Sequence, residues 1–351
     1  MADGRIPSLD GLRAVSIVLV LLGHLHVSEG FYRADLLNSQ GHLAGLGVTI
    51  FFIISGFLIT SLLMSERLRT GSVSLKAFYM RRALRIFPAF YTFILIMAFA
   101  DLVGWVHLSA IDFASALTYV VNYYPDRPWN IGHLWSLSVE EQFYLLWPVL
   151  YMSLGERRAT VAAFVAFAVA PLTRAAMHLA FRSGPYRDLE IFPAVADGIA
   201  IGCAIALLRP WLLTQPAYLR FTASRWLLLL LPLIVIVNGQ RGYTAIDLLA
   251  WPWMLLLMAV LVEASTRRTA TWTGKLLNLR PMVFIGTLSY SLYLWQQPFL
   301  NRHLDTPATT VPLNLLLAFA AALASYFVIE RPFLRLRRHA VPESPVSQAG
   351  S

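Results

Sequence analysis

Long apolar windows fill the chain, separated by short stretches rich in Arg, Pro and Gly. Ten windows are long enough to cross a bilayer as helices. Their approximate spans are 12–28, 43–64, 84–104, 133–154, 158–178, 191–208, 224–240, 245–263, 281–300 and 313–333. Barrel strands would be shorter and would alternate apolar with polar residues. The pattern predicts an all-α polytopic membrane protein, with about ten transmembrane helices enclosing a polar site. The 105–130 region breaks the rhythm. Its 111–123 stretch is semi-apolar but short, which predicts an interfacial or re-entrant piece lining a cavity. One membrane domain is expected over 1–338, followed by a disordered cytoplasmic tail over 339–351.

Composition agrees with this class. The 351 residues are 58% hydrophobic and 13% charged, against about 25% charged in a soluble domain. Lys and Arg total 28 against 19 acidic residues, a net charge of +9. In a soluble chain that excess could signal nucleic acid. Here the cations gather in alternate loops: Arg67, Arg69, Lys76, Arg81 and Arg82, then Arg157 and Arg158, then Arg209 and Arg220, then Arg267, Arg268, Lys275 and Arg280. The positive-inside rule places those loops and both termini in the cytoplasm, with an anionic membrane surface and no nucleic acid as the partner. The single cysteine, Cys203, excludes an intrachain disulfide. The first window lacks a small-x-small cleavage site and carries polar residues, so it does not read as a signal peptide.

Those polar residues are the first candidate chemistry. Arg13 and His24 bracket the apolar decapeptide 14–23, with Asp10 just before it. As a helix, the pair would lie roughly 16 Å apart along the axis and project from nearly one face. Beyond the second window, Arg82 and Arg85 share a helical face, whereas Arg81 points elsewhere. They suit a phosphate-bearing ligand, or they are snorkelling arginines of a positive-inside cluster. The fourth window is the most polar, with His133, Ser136, Ser138, Glu140, Glu141, Gln142 and Tyr144. Adjacent Glu140 and Glu141 cannot face one point, and a carboxylate at this depth needs a histidine or arginine partner. His133 and Trp135 are expected at the membrane interface. Asp197 in the sixth window could meet Arg174 from the fifth. In the ninth, Tyr290 and Tyr293 form a polar-aromatic stripe with Gln297, a cradle for a sugar or acyl chain, or an aromatic belt.

No Walker loop and no histidine-rich metal cage stands in the sequence. What remains is an intramembrane histidine, buried acids and an arginine pair. A histidine can take a proton from a hydroxyl during acyl transfer, with a carboxylate on its other nitrogen fixing the tautomer. The same groups could form the proton relay of a proton-coupled transporter.

Taken in order, Leu9-Asp10-Gly11, Arg13-x10-His24, Gly47–Thr60, Arg82-x-x-Arg85, Trp135–Tyr144, Ser289–Pro298 and Glu330-Arg331-Pro332 carry a resemblance. Across nearly the whole chain, the sequence resembles the acyltransferase-3 family of integral membrane O-acyltransferases, whose members modify O-antigen, exopolysaccharide, peptidoglycan, nodulation factors and macrolides. The resemblance implies that His24 is the critical residue and Arg13 its companion. It implies that Arg82 and Arg85 handle an acyl-CoA donor, most simply acetyl-CoA, at the cytoplasmic side. Glu140 matches the acid of the fourth helix and Asp197 that of the sixth. Two departures stand out: Gln296 replaces a histidine common in relatives, and Val195 replaces an arginine.

The expected catalytic set is therefore His24, Glu140 and Arg13, with Arg82 and Arg85 on the donor. Asp10, Glu141, Asp197, Tyr290 and Tyr293 are the expected substrate-binding set. No metal and no permanently bound cofactor is expected. The partners are acyl-CoA, a glycan or glycolipid acceptor and the lipid bilayer. His24 would deprotonate the acceptor hydroxyl, or it would carry the acyl group transiently.

Overall fold

A computed structural model of the chain describes residues 6–25, 41–181, 183–184, 186–224, 227, 229–239, 246–301, 303–304 and 306–340. The end of the first predicted helix (26–28), parts of the 224–240 window and nearly all of the 339–351 tail lie outside the described residues. The helices are α1 (Pro7–Leu25), α2 (Gly41–Thr70), α3 (Leu75–Leu102), α4 (Ala110–Leu117), α5 (Trp129–Gly132) and α6 (Leu134–Ala180). They continue with α7 (Phe192–Val195), α8 (Asp197–Leu212), α9 (Pro216–Ala223), α10 (Leu230–Gly239) and α11 (Trp251–Arg267). The chain ends through α12 (Trp272–Leu277), α13 (Arg280–Phe299), α14 (Leu313–Ala324) and α15 (Arg331–Ala340).

The protein is an all-α polytopic membrane protein. Among the described residues, six helical stretches are long and apolar enough to cross a membrane, and up to seven if the α8–α9 pair, bent by 117°, is one span. One of the six, Trp129–Ala180, has 52 residues. A straight helix of that length would reach about 78 Å, far beyond the roughly 30 Å hydrocarbon core. It is two helices merged at Gly155, whose φ of 70° lies in the left-handed region that glycine tolerates. That break falls between the predicted 133–154 and 158–178 windows. α13, with 20 residues, is about 30 Å long but too polar to be counted by hydropathy.

Local signals set the helix ends. Ser74 caps α3 by accepting from the Ala77 amide, Ser109 and Asp112 form a capping box at α4, and Gly71, at φ 76°, turns the chain out of α2. α3 begins well before the predicted 84, so Arg81, Arg82 and Arg85 stand inside a helix.

α1 lies at the centre, between α2 and α13. Small residues let these backbones approach, as expected where lipid offers no hydrophobic drive. A Cβ on Gly286 of α13 would fall 1.8 Å from the Asp10 carbonyl oxygen, and one on Gly56 of α2 would fall 2.1 Å from that of Ile199 on α8. α14 and α15 are joined by a π-helical turn, Ser325–Glu330.

Candidate active site

α1 is one unbroken helix, so Arg13 and His24 mark two levels about 16 Å apart. Each level gathers its own neighbours.

At the histidine level, a cleft of about 240 Å³ is lined by His24, Arg127, Trp129, His133, Tyr293 and Gln297, among others. His24 Nδ1 lies 2.8 Å from Gln296 Oε1. An amide oxygen only accepts, so Nδ1 donates its proton to Gln296. Trp129 holds the imidazole edge-on, with ring centroids 5.6 Å apart. The indole itself is held by the Gln297 and Leu300 carbonyls, which accept from Nε1 at 3.1 and 3.2 Å. His133, 3% exposed, is buried in the cleft wall and does not stand at an open membrane interface as expected. Its Nε2 donates to the Leu294 carbonyl at 3.1 Å, and its backbone N–H donates to Gln297 Oε1 at 2.9 Å. Tyr293 donates to the His133 carbonyl at 3.1 Å and meets Ser136 Oγ at 2.6 Å. Arg127 pairs with Glu190 at the rim.

At the arginine level, Arg13 pairs with Asp10 at 3.0 Å. Arg82 and Arg85 face it from α3, within its electrostatic reach. Among the described residues, Arg82 and Arg85 form no ion pair with a carboxylate. Arg82 instead lies over the Tyr144 ring at 4.7 Å and the Phe78 ring at 5.8 Å. Elsewhere arginines are paired: Arg81 with Glu66 at 3.0 Å, Arg174 with Asp197 at 2.8 Å, and Arg209 and Arg267 with Glu263 at 3.1 and 2.8 Å.

Between the levels lie Glu140, Glu141 and Tyr290. Seven residues of helix separate Glu140 from His133, about 10 Å along α6. Glu140 accepts from Ser55 at 2.7 Å, and Ser55 accepts from Tyr144 at 3.1 Å. Its charged neighbours are Arg82 and Arg13. The structure thus brings Glu140 to the arginines, and the position expected for a carboxylate beside His24 Nδ1 is filled by Gln296. Tyr290 and Tyr293 belong to different levels: Tyr290 donates to the Ile86 carbonyl at 3.0 Å, toward α3. Glu330 accepts from Ser291. Asp197 is held apart by Arg174, which also donates to the Ala194 carbonyl at 2.5 Å. The arginine missing at Val195 is supplied by Arg174 of α6.

Gln296, His133, Trp129 and Ser55 had no assigned place in the site. Gln296 stands out in the sequence only as a departure from the family's histidine.

Residues 6–331 match the family described as an acyltransferase domain, acyltransferase-3. The chain belongs to this family. Its similarity extends to a putative O-acetyltransferase of Staphylococcus aureus strain COL, 28% identical over 93% of this chain and 57% of the relative. It extends equally to the peptidoglycan O-acetyltransferase OatA of Listeria monocytogenes, 26% identical over 93% of this chain and 54% of OatA. YrhL of Bacillus subtilis, a putative peptidoglycan O-acetyltransferase, is 29% identical over 93% of this chain and 54% of its own length. This acyltransferase-family chain spans little more than half the length of those relatives. No solved structure matches it.

Proposed function

We propose that this chain is an integral membrane O-acyltransferase that moves an acetyl group from acetyl-CoA to a hydroxyl of a glycan or glycolipid. One observation carries the reading. An imidazole with its Nδ1 proton directed at Gln296 faces a cleft, and two arginines that form no ion pair with a carboxylate among the described residues stand at the level about 16 Å below it. Relatives named as O-acetyltransferases support the reaction class.

Arg82 and Arg85 bind the donor's phosphates from the cytoplasmic side. The thioester reaches up toward His24. Nε2 takes the proton of the acceptor hydroxyl as the oxygen attacks the thioester carbon. The C–S bond breaks and CoA leaves as the thiolate, which recovers the proton. Trp129, Trp135 and Tyr293 offer ring faces and a hydroxyl to a sugar. Arg13, held by Asp10, adds positive charge at the phosphate level. Glu140 balances that charge beneath the thioester path. Ten crossings with both termini cytoplasmic fit the loop charges, with α8, α10, α13 and the two arms of α6 each counted as spans.

The test is release of CoA from acetyl-CoA by the protein in liposomes with a glycan acceptor. His24→Ala should abolish release while the protein stays folded. Full release by that variant, or proton movement without thioester turnover, would replace the acyltransferase with a transporter.

A further inference from the structure

Residues 104–128 enter and leave the fold at the histidine end, because α3 ends there and α6 begins there. Their turn reaches much deeper. The Tyr119 carbonyl accepts from Gln142 Nε2 at 2.9 Å, and the same amide donates to Asn122 Oδ1 at 2.9 Å. Gln142 lies nine residues along α6 from His133, about 13 Å inward. α4 therefore leads a re-entrant segment whose tip is Tyr119, between the two levels of the site.

Tyr119 is unusual in three respects. Its φ is 55°, a left-handed conformation that is strained for a bulky L-residue and gathers at functional sites. Its ring stacks on Phe90, with centroids 4.3 Å apart at 21°, which fixes where the hydroxyl points. The residue is 9% exposed, and the hydroxyl is buried with no hydrogen-bond partner among the described residues. A phenol in that state carries an unreturned desolvation cost unless something fills the place. Tyr290, Glu141 and Tyr91 lie within its electrostatic reach. The Glu141 side chain is half-buried and makes no hydrogen bond among the described residues.

We infer that Tyr119 and Glu141 form a binding station for an uncharged diamide chain, the pantetheine arm of the acyl-CoA donor. The inference rests on the acyl-CoA reading above. Between phosphates held by Arg82 and Arg85 and a thioester at His24, the donor can place only its pantetheine arm at this depth. That arm has about as many backbone bonds as four extended residues, roughly 14 Å, close to the roughly 16 Å between Arg13 and His24. Its amide carbonyls accept, and its amide N–H groups donate. The Tyr119 hydroxyl donates to a carbonyl, and the Glu141 carboxylate accepts from an N–H. Buried amides need such partners in a membrane interior. The strained tip holds the phenol where the arm passes.

The experiment compares two ligands on the full protein in detergent or nanodiscs: CoA, and adenosine 3′,5′-bisphosphate, which has the phosphates but no arm. Titration calorimetry of wild type should detect both. Tyr119→Phe keeps the ring stack and removes only the hydroxyl. It should weaken CoA binding about three- to tenfold and leave the bisphosphate unchanged. Arg82→Ala should weaken both. Unchanged CoA binding in Tyr119→Phe would overturn the station, as would an equal loss for both ligands, which marks a structural effect. Failure of wild type to bind CoA would overturn the donor reading itself, and the station with it.

Discussion

The two ends of the site differ in how their polar groups are satisfied. At the histidine end, side chains are locked in pairs: His24 to Gln296, His133 to Leu294 and Gln297, Tyr293 to Ser136. At the arginine end, Arg82 stands on aromatic faces, and among the described residues neither it nor Arg85 forms an ion pair with a carboxylate, while Glu140 nearby is satisfied by a serine hydroxyl. One end is built to hold a ring in one tautomer, and the other keeps charge in reserve. A pre-organised base needs its orientation settled before substrate arrives, because misplacement costs rate. A phosphate site needs the opposite, since a cation already paired with a carboxylate has little left for an anion.

That contrast can be broken in graded steps. His24→Ala should cut CoA release by about 10²–10⁴-fold; a smaller loss would deny that end its chemistry. Arg174→Met leaves Asp197 buried without its partner and should cost about 3 kcal/mol, read as a lower unfolding midpoint in detergent. Arg174→Met combined with Asp197→Leu should recover most of it. Persistent loss in the double variant would mean that Asp197 does more than pair. Arg82→Ala should raise the donor KM about 10- to 100-fold with kcat little changed; an unaltered KM would return that arginine to the snorkelling class. Gln296→Leu removes the acceptor from Nδ1 and should lower kcat about tenfold at unchanged donor KM. Gln296→Glu restores an acceptor and should recover activity with a changed pH profile. Equal loss in both would reduce Gln296 to a packing residue. The Tyr119→Phe shift in CoA affinity is the smallest effect and probes the space between the ends.

Much of this architecture could be read from residue order. The all-α membrane class follows from window length alone, because a bilayer demands about 20 apolar residues per helix. The Arg13–His24 separation follows from helical rise, and the break between the predicted fourth and fifth helices coincides with Gly155. The 111–123 stretch was too short to span and too apolar for an open loop, which left a re-entrant segment among its readings.

Partnership across helices was not legible, because periodicity describes one helix at a time. Glu140 called for a histidine or an arginine as its partner, and only the packing of α6 decides between them, bringing it to Ser55 and the arginines. Tyr290 and Tyr293 share a sequence stripe but serve levels several ångströms apart. Gln296 became the neighbour of His24 through the packing of α13 along α1, which Gly286 allows to be close at the Asp10 end. Segment length, charge asymmetry and spacing along a single axis are local properties, so the chain order determined them. Which carboxylate meets which cation depends on helix packing, and only the tertiary structure decided that.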